Sequence, residues 1–125
     1  MDLDEQLPLT PLSFQILLAL ADAPRHGYGI IKDIEAASGK PFTSSTGTLY
    51  LAIQRLEQQE LIAAVPASEA PEGHDPRRRY YGLTDLGREV AAAEAQRLAG
   101  LLGVARDKRL LTPKALLSLT GGKKG

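Results

Sequence analysis

The sequence predicts a mainly helical α+β fold in which three helices precede a β-hairpin and one long helix. Apolar residues recur at helical spacing through residues 11–60 and again after residue 84, which is typical of helices that bury one face. Residues 61–65 and 77–83 have the pattern of short strands and flank a proline-rich loop. Two helices joined by a short turn and followed by such a wing form a winged helix-turn-helix.

The first two helices are delimited by a capping threonine, by prolines and by glycine. Thr10 followed by Pro11 is a typical N-cap and first helical position, and Pro24 should end the first helix. The second helix should span roughly residues 28–38, because Gly39 is a favourable C-cap. The apolar stripe of the first helix is broad, which indicates burial on more than one side.

The third helix, which should start after Ser44 or Ser45 and run to about Gln59, has two unlike faces. The apolar face consists of Leu49, Ala52, Ile53 and Leu56. Another side carries hydroxyls, amides and a phenol at every fourth position: Thr46, Tyr50, Gln54 and Gln58. Arg55 lies beside it and no acidic residue lies on it. Hydroxyls, amides and arginine can contact base edges and phosphates in a DNA groove, from which carboxylates would be repelled.

The predicted wing carries a run of three arginines on its second strand, Arg77, Arg78 and Arg79. Because side chains alternate along a strand, Arg77 and Arg79 should share one face and Arg78 should take the other. We expect at least one of them to reach the minor groove or a phosphate, and one could instead pair with Asp75 or a helix carboxylate. The formal net charge is zero, so the positive charge is local and densest at these arginines.

Thr84 and Asp85 should cap a long helix that runs to about Leu111. This helix is apolar on two sides and therefore needs more than one surface for burial, which predicts a homodimer interface at Leu98, Leu101, Leu102 and Ala105. Thr112 could cap one more short helix, closed by Gly121. The predicted organisation is a flexible N-terminal arm at 1–9, a winged domain at 10–83, a dimerisation helix at 84–111, and a short helix or tail at 112–125.

The composition disfavours several classes of function. The chain of 125 residues contains no cysteine and only two histidines, so we predict no disulfide, no metal site and no cofactor. No Ser-His-Asp set, carboxylate pair or phosphate-binding glycine loop is present, which predicts that the protein is not an enzyme. The acidic N-terminus does not resemble a secretory signal and no apolar run could cross a membrane, so a cytoplasmic location is expected.

Three motifs resemble the PadR family of bacterial transcriptional regulators. They are His-Gly-Tyr at 26–28, Gly-Thr-Leu-Tyr at 47–50, and Arg-Arg-Tyr-Tyr with Leu-Thr-Asp-Leu-Gly at 78–87. Their order and spacing make the resemblance specific, and it covers roughly residues 10–110. Two positions depart from the family pattern: Leu51 replaces the usual proline, and Glu60 replaces a glycine, where it should strain a left-handed helix cap.

The resemblance implies a homodimeric repressor that binds double-stranded DNA, with two recognition helices in successive major grooves of a pseudo-palindrome. Some members of the family respond to phenolic acids or drugs, but this sequence identifies no small-molecule effector. The candidate DNA-contacting residues are Ser44, Ser45, Thr46, Thr48, Tyr50, Gln54, Arg55, Arg77, Arg78 and Arg79.

Structural alternatives remain for several of these residues. Tyr50 could pack in the core, and Thr46 could cap the third helix rather than contact DNA. Tyr28 is expected to be a packed aromatic, and His26 is expected to cap the backbone or lie near a phosphate. A winged domain can also serve as a protein-interaction module without affinity for DNA. The salt dependence of binding separates these two functions, because only phosphate contacts must weaken as salt rises.

Overall fold

The computed structural model describes residues 6–66, 69–70 and 77–119. Within these residues the elements follow in the order α1 (Pro11–Ala19), β1 (Arg25–His26), α2 (Gly27–Ser38), α3 (Thr46–Gln58), β2 (Ile62–Ala64), β3 (Tyr80–Leu83), α4 (Asp85–Asp107) and α5 (Pro113–Leu119). The strands form one antiparallel sheet in the order β1-β3-β2. This architecture confirms the predicted winged helix-turn-helix class.

The chain divides into two compact units, residues 1–94 and 95–125, and the boundary falls within α4. The core of the first unit is formed where α1 packs against α2 and α3. Its buried side chains are Ile16, Leu17, Ala19, Leu20, Ile30, Ile34, Leu49, Ala52, Ile53, Leu56, Leu61, Ile62, Tyr81, Val90 and Ala91. The predicted apolar face of α3 is therefore buried, which leaves its polar face outside.

The N-terminal segment contributes to this core. Leu7 and Leu9 are partly buried against it, and the remainder of the predicted arm, residues 1–5, lies outside the described residues. α1 starts as predicted, because Thr10 Oγ1 accepts a hydrogen bond from Ser13 N at 3.1 Å. No described helix combines the length and hydropathy that crossing a membrane requires.

α1 ends at Ala19, earlier than the expected stop at Pro24. Arg25 Nε donates a hydrogen bond to Ala19 O at 2.6 Å, so a later side chain satisfies a carbonyl that has no partner within the helix. The turn that follows brings the two residues of β1 against β3, with Arg25 opposite Tyr81 and His26 opposite Tyr80. The sequence did not predict β1, since two residues are too few to show a strand period.

The turn between α3 and β2 contains the residue that was expected to be strained. Glu60 has a φ of 64°, in the left-handed region. Leu61 N donates to Leu56 O at 3.0 Å across this turn, which is the hydrogen bond that usually accompanies a left-handed helix end. Thr84 Oγ1 donates to Glu60 O at 2.7 Å and accepts from Gly87 N, so the start of α4 is attached to the end of α3.

The wing differs from its prediction in one respect that matters for the site. β3 starts at Tyr80, so the three arginines precede the strand on which their alternation between two faces was predicted. The ladder with β2 ends at the hydrogen bond from Val65 N to Tyr80 O. Pro66 follows immediately, and proline is depleted from strands.

The second unit contains the rest of α4 and the short helix α5. α4 ends at Asp107, and Arg109 adopts a φ of 63° while Leu110 N donates to Ala105 O at 2.9 Å. Thr112 caps α5 as predicted, accepting from Ala115 N at 3.0 Å. The predicted closure of this helix at Gly121 lies outside the described residues.

Candidate nucleic-acid interface

The start of α3 is organised by a pair of hydroxyl groups. Ser45 is the N-cap: its Oγ accepts from Thr48 N at 3.0 Å and donates to Thr48 Oγ1 at 2.9 Å. The two hydroxyl groups share one proton in this contact, so the pair retains one hydroxyl proton that can be donated to an external acceptor. Ser44 and Thr46 are exposed on either side of this cap.

The outward side of α3 is exposed along its whole length. Besides the cap region, it comprises Gly47, Thr48, Tyr50, Leu51, Gln54, Arg55 and Gln58. None of these side chains is acidic, as the sequence predicted. Positions four apart differ by about 40° in direction on a helix, so the predicted row of Thr46, Tyr50 and Gln54 winds around α3 instead of forming a straight line. Gln54 lies near the centre of the exposed side, and Tyr50 lies on one flank.

Tyr50 is 45% exposed, and its position is defined by a glycine of the neighbouring helix. A Cβ added to Gly27 would collide with the Tyr50 hydroxyl, so this phenol lies directly against the first turn of α2. The alternative in which Tyr50 is a core residue does not match this exposure. In the sequence Gly27 belongs to the His-Gly-Tyr motif, and its lack of a side chain allows the Tyr50 phenol to approach.

A cleft of about 320 Å³ opens beside this contact. It is lined by residues from α2, α3 and the segment that precedes β3: His26, Gly27, Tyr28, Tyr50, Arg77, Arg78 and Arg79. The motifs that lie apart in the sequence therefore meet at one place. The cleft is a concave surface that carries two phenols, an imidazole and three guanidinium groups. Phosphate oxygens accept hydrogen bonds from donors of these kinds.

His26 has a structural role in this cleft. Its Nδ1 accepts from Gly29 N at 3.1 Å and so caps α2, which is one of the two roles expected for it. Arg78 Nη1 lies 2.9 Å from Nε2 and 3.2 Å from Nδ1 of the same ring. The ring of Tyr80 packs edge-on against this imidazole, with a centroid separation of 5.1 Å. His26 therefore holds Arg78 at the mouth of the cleft.

Tyr28 is 54% exposed, so the expectation that it packs in the core is wrong. The buried side of α2 is formed by Gly27, Ile30 and Ile34, and Tyr28 points away from that side. Lys32 Nζ lies 5.2 Å from the centre of its ring and the guanidinium carbon of Arg78 lies 5.8 Å away. The hydrogen bond with the Tyr28 side chain raises the pKa of Lys32.

Arg79 has a carboxylate partner on α3. Its Nη2 lies 3.1 Å from Glu57 Oε2 on α3, which matches the expectation that one of the three would pair with a helix carboxylate. The hydrogen bond with Glu57 raises the pKa of Arg79. The guanidinium also lies 5.6 Å from the Tyr81 ring, and burial raises the pKa of the Tyr81 hydroxyl. Asp75, the other partner predicted for one of these arginines, lies outside the described residues.

The predicted dimer residues lie on the part of α4 that belongs to the second unit. Leu101 is 55% exposed and Leu102 is also exposed, whereas Leu98 and Ala105 are half-buried. Further large apolar side chains are exposed in this unit: Val104, Leu110, Leu117 and Leu119. An exposed apolar surface of this kind is typical of a protein–protein contact.

Comparisons with known proteins identify the family and the fold. Residues 16–93 match the model of the "Transcriptional regulator PadR-like family". An uncharacterised 37.1 kDa protein in transposon TN4556 of Streptomyces fradiae is 40% identical over 88 residues, which are 70% of this chain and 23% of that protein. Protein X of Lysinibacillus sphaericus is 34% identical over 73 residues, which are 58% of this chain and 64% of that protein. The chain thus spans less than two thirds of either relative.

Solved structures show the same fold. A PadR family transcription regulator from Clostridium difficile R20291 is 26% identical with a TM-score of 0.63, and the match covers 78% of this chain and 97% of that one. Since the family model matches more than half of the sequence, and the fold and the three motifs agree with it, the chain belongs to the PadR-like family of transcriptional regulators.

Proposed function

We propose that this protein is a repressor that binds double-stranded DNA as a homodimer. The winged domain, residues 10–83, makes the DNA contacts, and the dimerisation helix, residues 84–111, joins the two copies. Each copy inserts α3 into the major groove, and the two grooves lie one helical turn apart on a pseudo-palindromic operator, about 34–36 Å. Occupancy of the operator blocks transcription.

One observation carries this proposal: an exposed helix face without carboxylates borders a cleft of arginine and tyrosine side chains. Hydroxyl and amide groups on α3 can bond to base edges, and the cleft can hold the phosphate backbone beside the groove. Arg77 and Arg78 supply charge there, and the Tyr28 and Tyr50 hydroxyls supply uncharged donors. In this proposal α3 reads the base sequence, and the cleft positions the protein on the phosphate backbone.

The zero net charge of the chain does not oppose this function, because the charge that DNA meets is local. Arg55 on α3 and Arg77 and Arg78 at the cleft are all exposed on the proposed interface. Glu57, the acidic residue on α3, is half-buried and paired with Arg79. These three arginines therefore place positive side chains on the proposed interface, although the whole chain has a formal net charge of zero.

Dimerisation would cover the exposed apolar side chains of the second unit. It would also explain why α4 is apolar on two sides, because one stripe packs within the chain and the other needs a second copy. As the family resemblance implies, such a dimer would be open to release by a small-molecule effector.

The test is a binding titration at several salt concentrations, using the inverted repeat next to the protein's own gene. If Arg55, Arg77 and Arg78 of both copies each neutralise one phosphate, log K should fall against log salt with a slope of about −5. Affinity should then drop about a thousandfold between 50 and 200 mM salt. A scrambled duplex should bind more weakly with a similar slope. Binding that does not depend on salt, or no binding, would favour the protein-interaction module instead.

A further inference from the structure

Leu51 is an apolar side chain in the middle of the polar side of α3. It is 64% exposed, more than Tyr50 beside it. Its neighbours one turn away, Gly47, Thr48, Gln54 and Arg55, are exposed as well. At 100° per residue, Leu51 points about 150° away from the mean direction of the buried side of α3. It therefore lies within about 30° of the direction in which α3 projects furthest from the core.

One turn before Leu51, towards the N-terminus of α3, the helix carries a glycine. A helical side chain points towards the N-terminus and covers the position four residues earlier. That position is Gly47, and a Cβ placed there would have only Ser45 Oγ nearby, at 3.9 Å. No side chain projects from the position one turn before Leu51, and the side chain of Leu51 is itself 64% exposed, so another molecule can reach it.

A single exposed leucine is common on protein surfaces and needs no explanation by itself. If α3 enters the major groove as proposed above, however, the position of Leu51 brings this side chain against base edges. A leucine pressed against base edges removes water from their polar atoms and offers no hydrogen bond in return, which is unfavourable. The C5-methyl group of thymine is the apolar group that the major groove presents. A leucine at this point of α3 is favourable only opposite such a methyl group.

We infer that Leu51 contacts the C5-methyl group of one thymine in each half-site and so determines specificity at that base pair. This inference rests on the proposed function and deepens it. It separates two kinds of recognition on one helix: Gln54 and Thr48 bond to polar groups, and Leu51 reads a methyl group.

The experiment removes the methyl group from the DNA and the leucine from the protein, separately and together. Duplexes that bind the unaltered protein are first selected from a random pool, and then each thymine of the selected site is replaced by deoxyuridine, one position at a time. One thymine per half-site should show a loss of about fourfold in affinity, the factor for burying one methyl-sized group. For Leu51→Ala, the same replacement should cause no loss.

Leu18→Ala is a matched control, because Leu18 is 50% exposed on α1. That variant should keep the deoxyuridine profile of the unaltered protein. A melting curve for Leu51→Ala should stay close to the parent's, since the side chain is exposed.

Two results would overturn the inference, and they are distinguishable. If the unaltered protein selects a sequence but Leu51→Ala shows the same deoxyuridine losses at every thymine, Leu51 reads no methyl group while the proposed function stands. If the unaltered protein selects no sequence and shows no salt-dependent binding, the proposed function fails and this inference fails with it.

Discussion

At the scale of single residues, Glu60 in the turn after α3 is a position at which a substitution should stabilise the protein. Glu60 adopts a left-handed conformation, which costs a residue with a Cβ about 1–2 kcal/mol. Glycine would relieve this cost but would lose about 0.4–1 kcal/mol through the greater freedom of the unfolded chain. The first effect is larger, so Glu60 is a strained residue at a turn that still forms.

We therefore predict that Glu60→Gly raises the free energy of unfolding by about 0.5–1 kcal/mol. The melting temperature should rise by about 2–5 °C. Gly39→Ala is the control with the opposite sign, because Gly39 has a φ of 73° and no atom lies near an added Cβ. That variant should lose stability through its backbone conformation alone. A Glu60→Gly protein that melts below its parent would show that the glutamate side chain has a stabilising contact.

Tyr50 permits a second test at one residue, because its hydroxyl and its ring can be separated. Tyr50→Phe keeps the ring against Gly27 and removes the group proposed to donate to a phosphate. DNA affinity should fall by about 1 kcal/mol for each copy in the dimer, the usual net contribution of a hydrogen bond, and therefore by about 2 kcal/mol in total. The melting temperature should hardly change, since the side chain is 45% exposed. Unchanged affinity with a melting point lowered by several degrees would assign Tyr50 a purely structural role.

At the scale of elements, the segment before β3 brings three arginines to the interface with different partners. Because each substitution is present in both copies of the proposed dimer, Arg77→Ala and Arg78→Ala should each weaken binding to every DNA sequence and flatten the salt slope by about two units. The double variant Arg79→Ala, Glu57→Gln removes one charge of each sign from an existing pair and should leave the slope within error. Measuring the four slopes side by side checks this, and equal losses for all three arginines would contradict it.

α4 permits a test of assembly that does not disturb the core of the first unit. Leu101→Glu places a charge on the exposed apolar surface of the second unit, so the dimer should dissociate at micromolar concentration, as seen by sedimentation or light scattering. DNA affinity should fall with it, because a monomer engages one half-site. Gln96→Glu adds the same charge at an exposed polar position of the same helix and should remain dimeric. A parent protein that is itself monomeric would end the dimer proposal.

At the scale of the whole molecule, the proposed dimer imposes a geometric requirement on its operator. Two recognition helices held one helical turn apart cannot both enter major grooves if the half-sites are rotated relative to each other. Inserting about five base pairs between the half-sites turns one of them to the opposite side of the duplex. Affinity should then fall to that of a single half-site. Binding that tolerates this insertion would show that the copies act independently.

Most of the local structure could be predicted from short stretches of sequence. Thr10, Ser45, Thr84 and Thr112 all cap the helices that they precede, because a cap depends on hydrogen bonds over about three residues. The spacing of apolar residues identified the buried side of α3 for the same reason. These features depend on the residue types at nearby positions and therefore survive without any knowledge of the tertiary fold.

Other features could not be predicted, because they depend on where distant elements meet. β1 has two residues and exists only because β3 lies beside it. Tyr28 is exposed although its residue type favours burial, since Ile30 and Ile34 occupy the side of α2 that faces the core. The wing strand begins three residues later than its sequence suggested, because its length is limited by β2 and Pro66.

The sequence by itself determined the class of fold, the buried and exposed sides of α3, and the family to which the protein belongs. The tertiary structure decided that Tyr50 rests on Gly27, that Arg79 pairs with Glu57, and that Arg78 reaches His26 across 52 positions of the chain. The physical reason is the range of the interactions. Periodicity and capping are short-range and appear in the sequence, whereas a cleft is formed by packing between residues that only folding brings together.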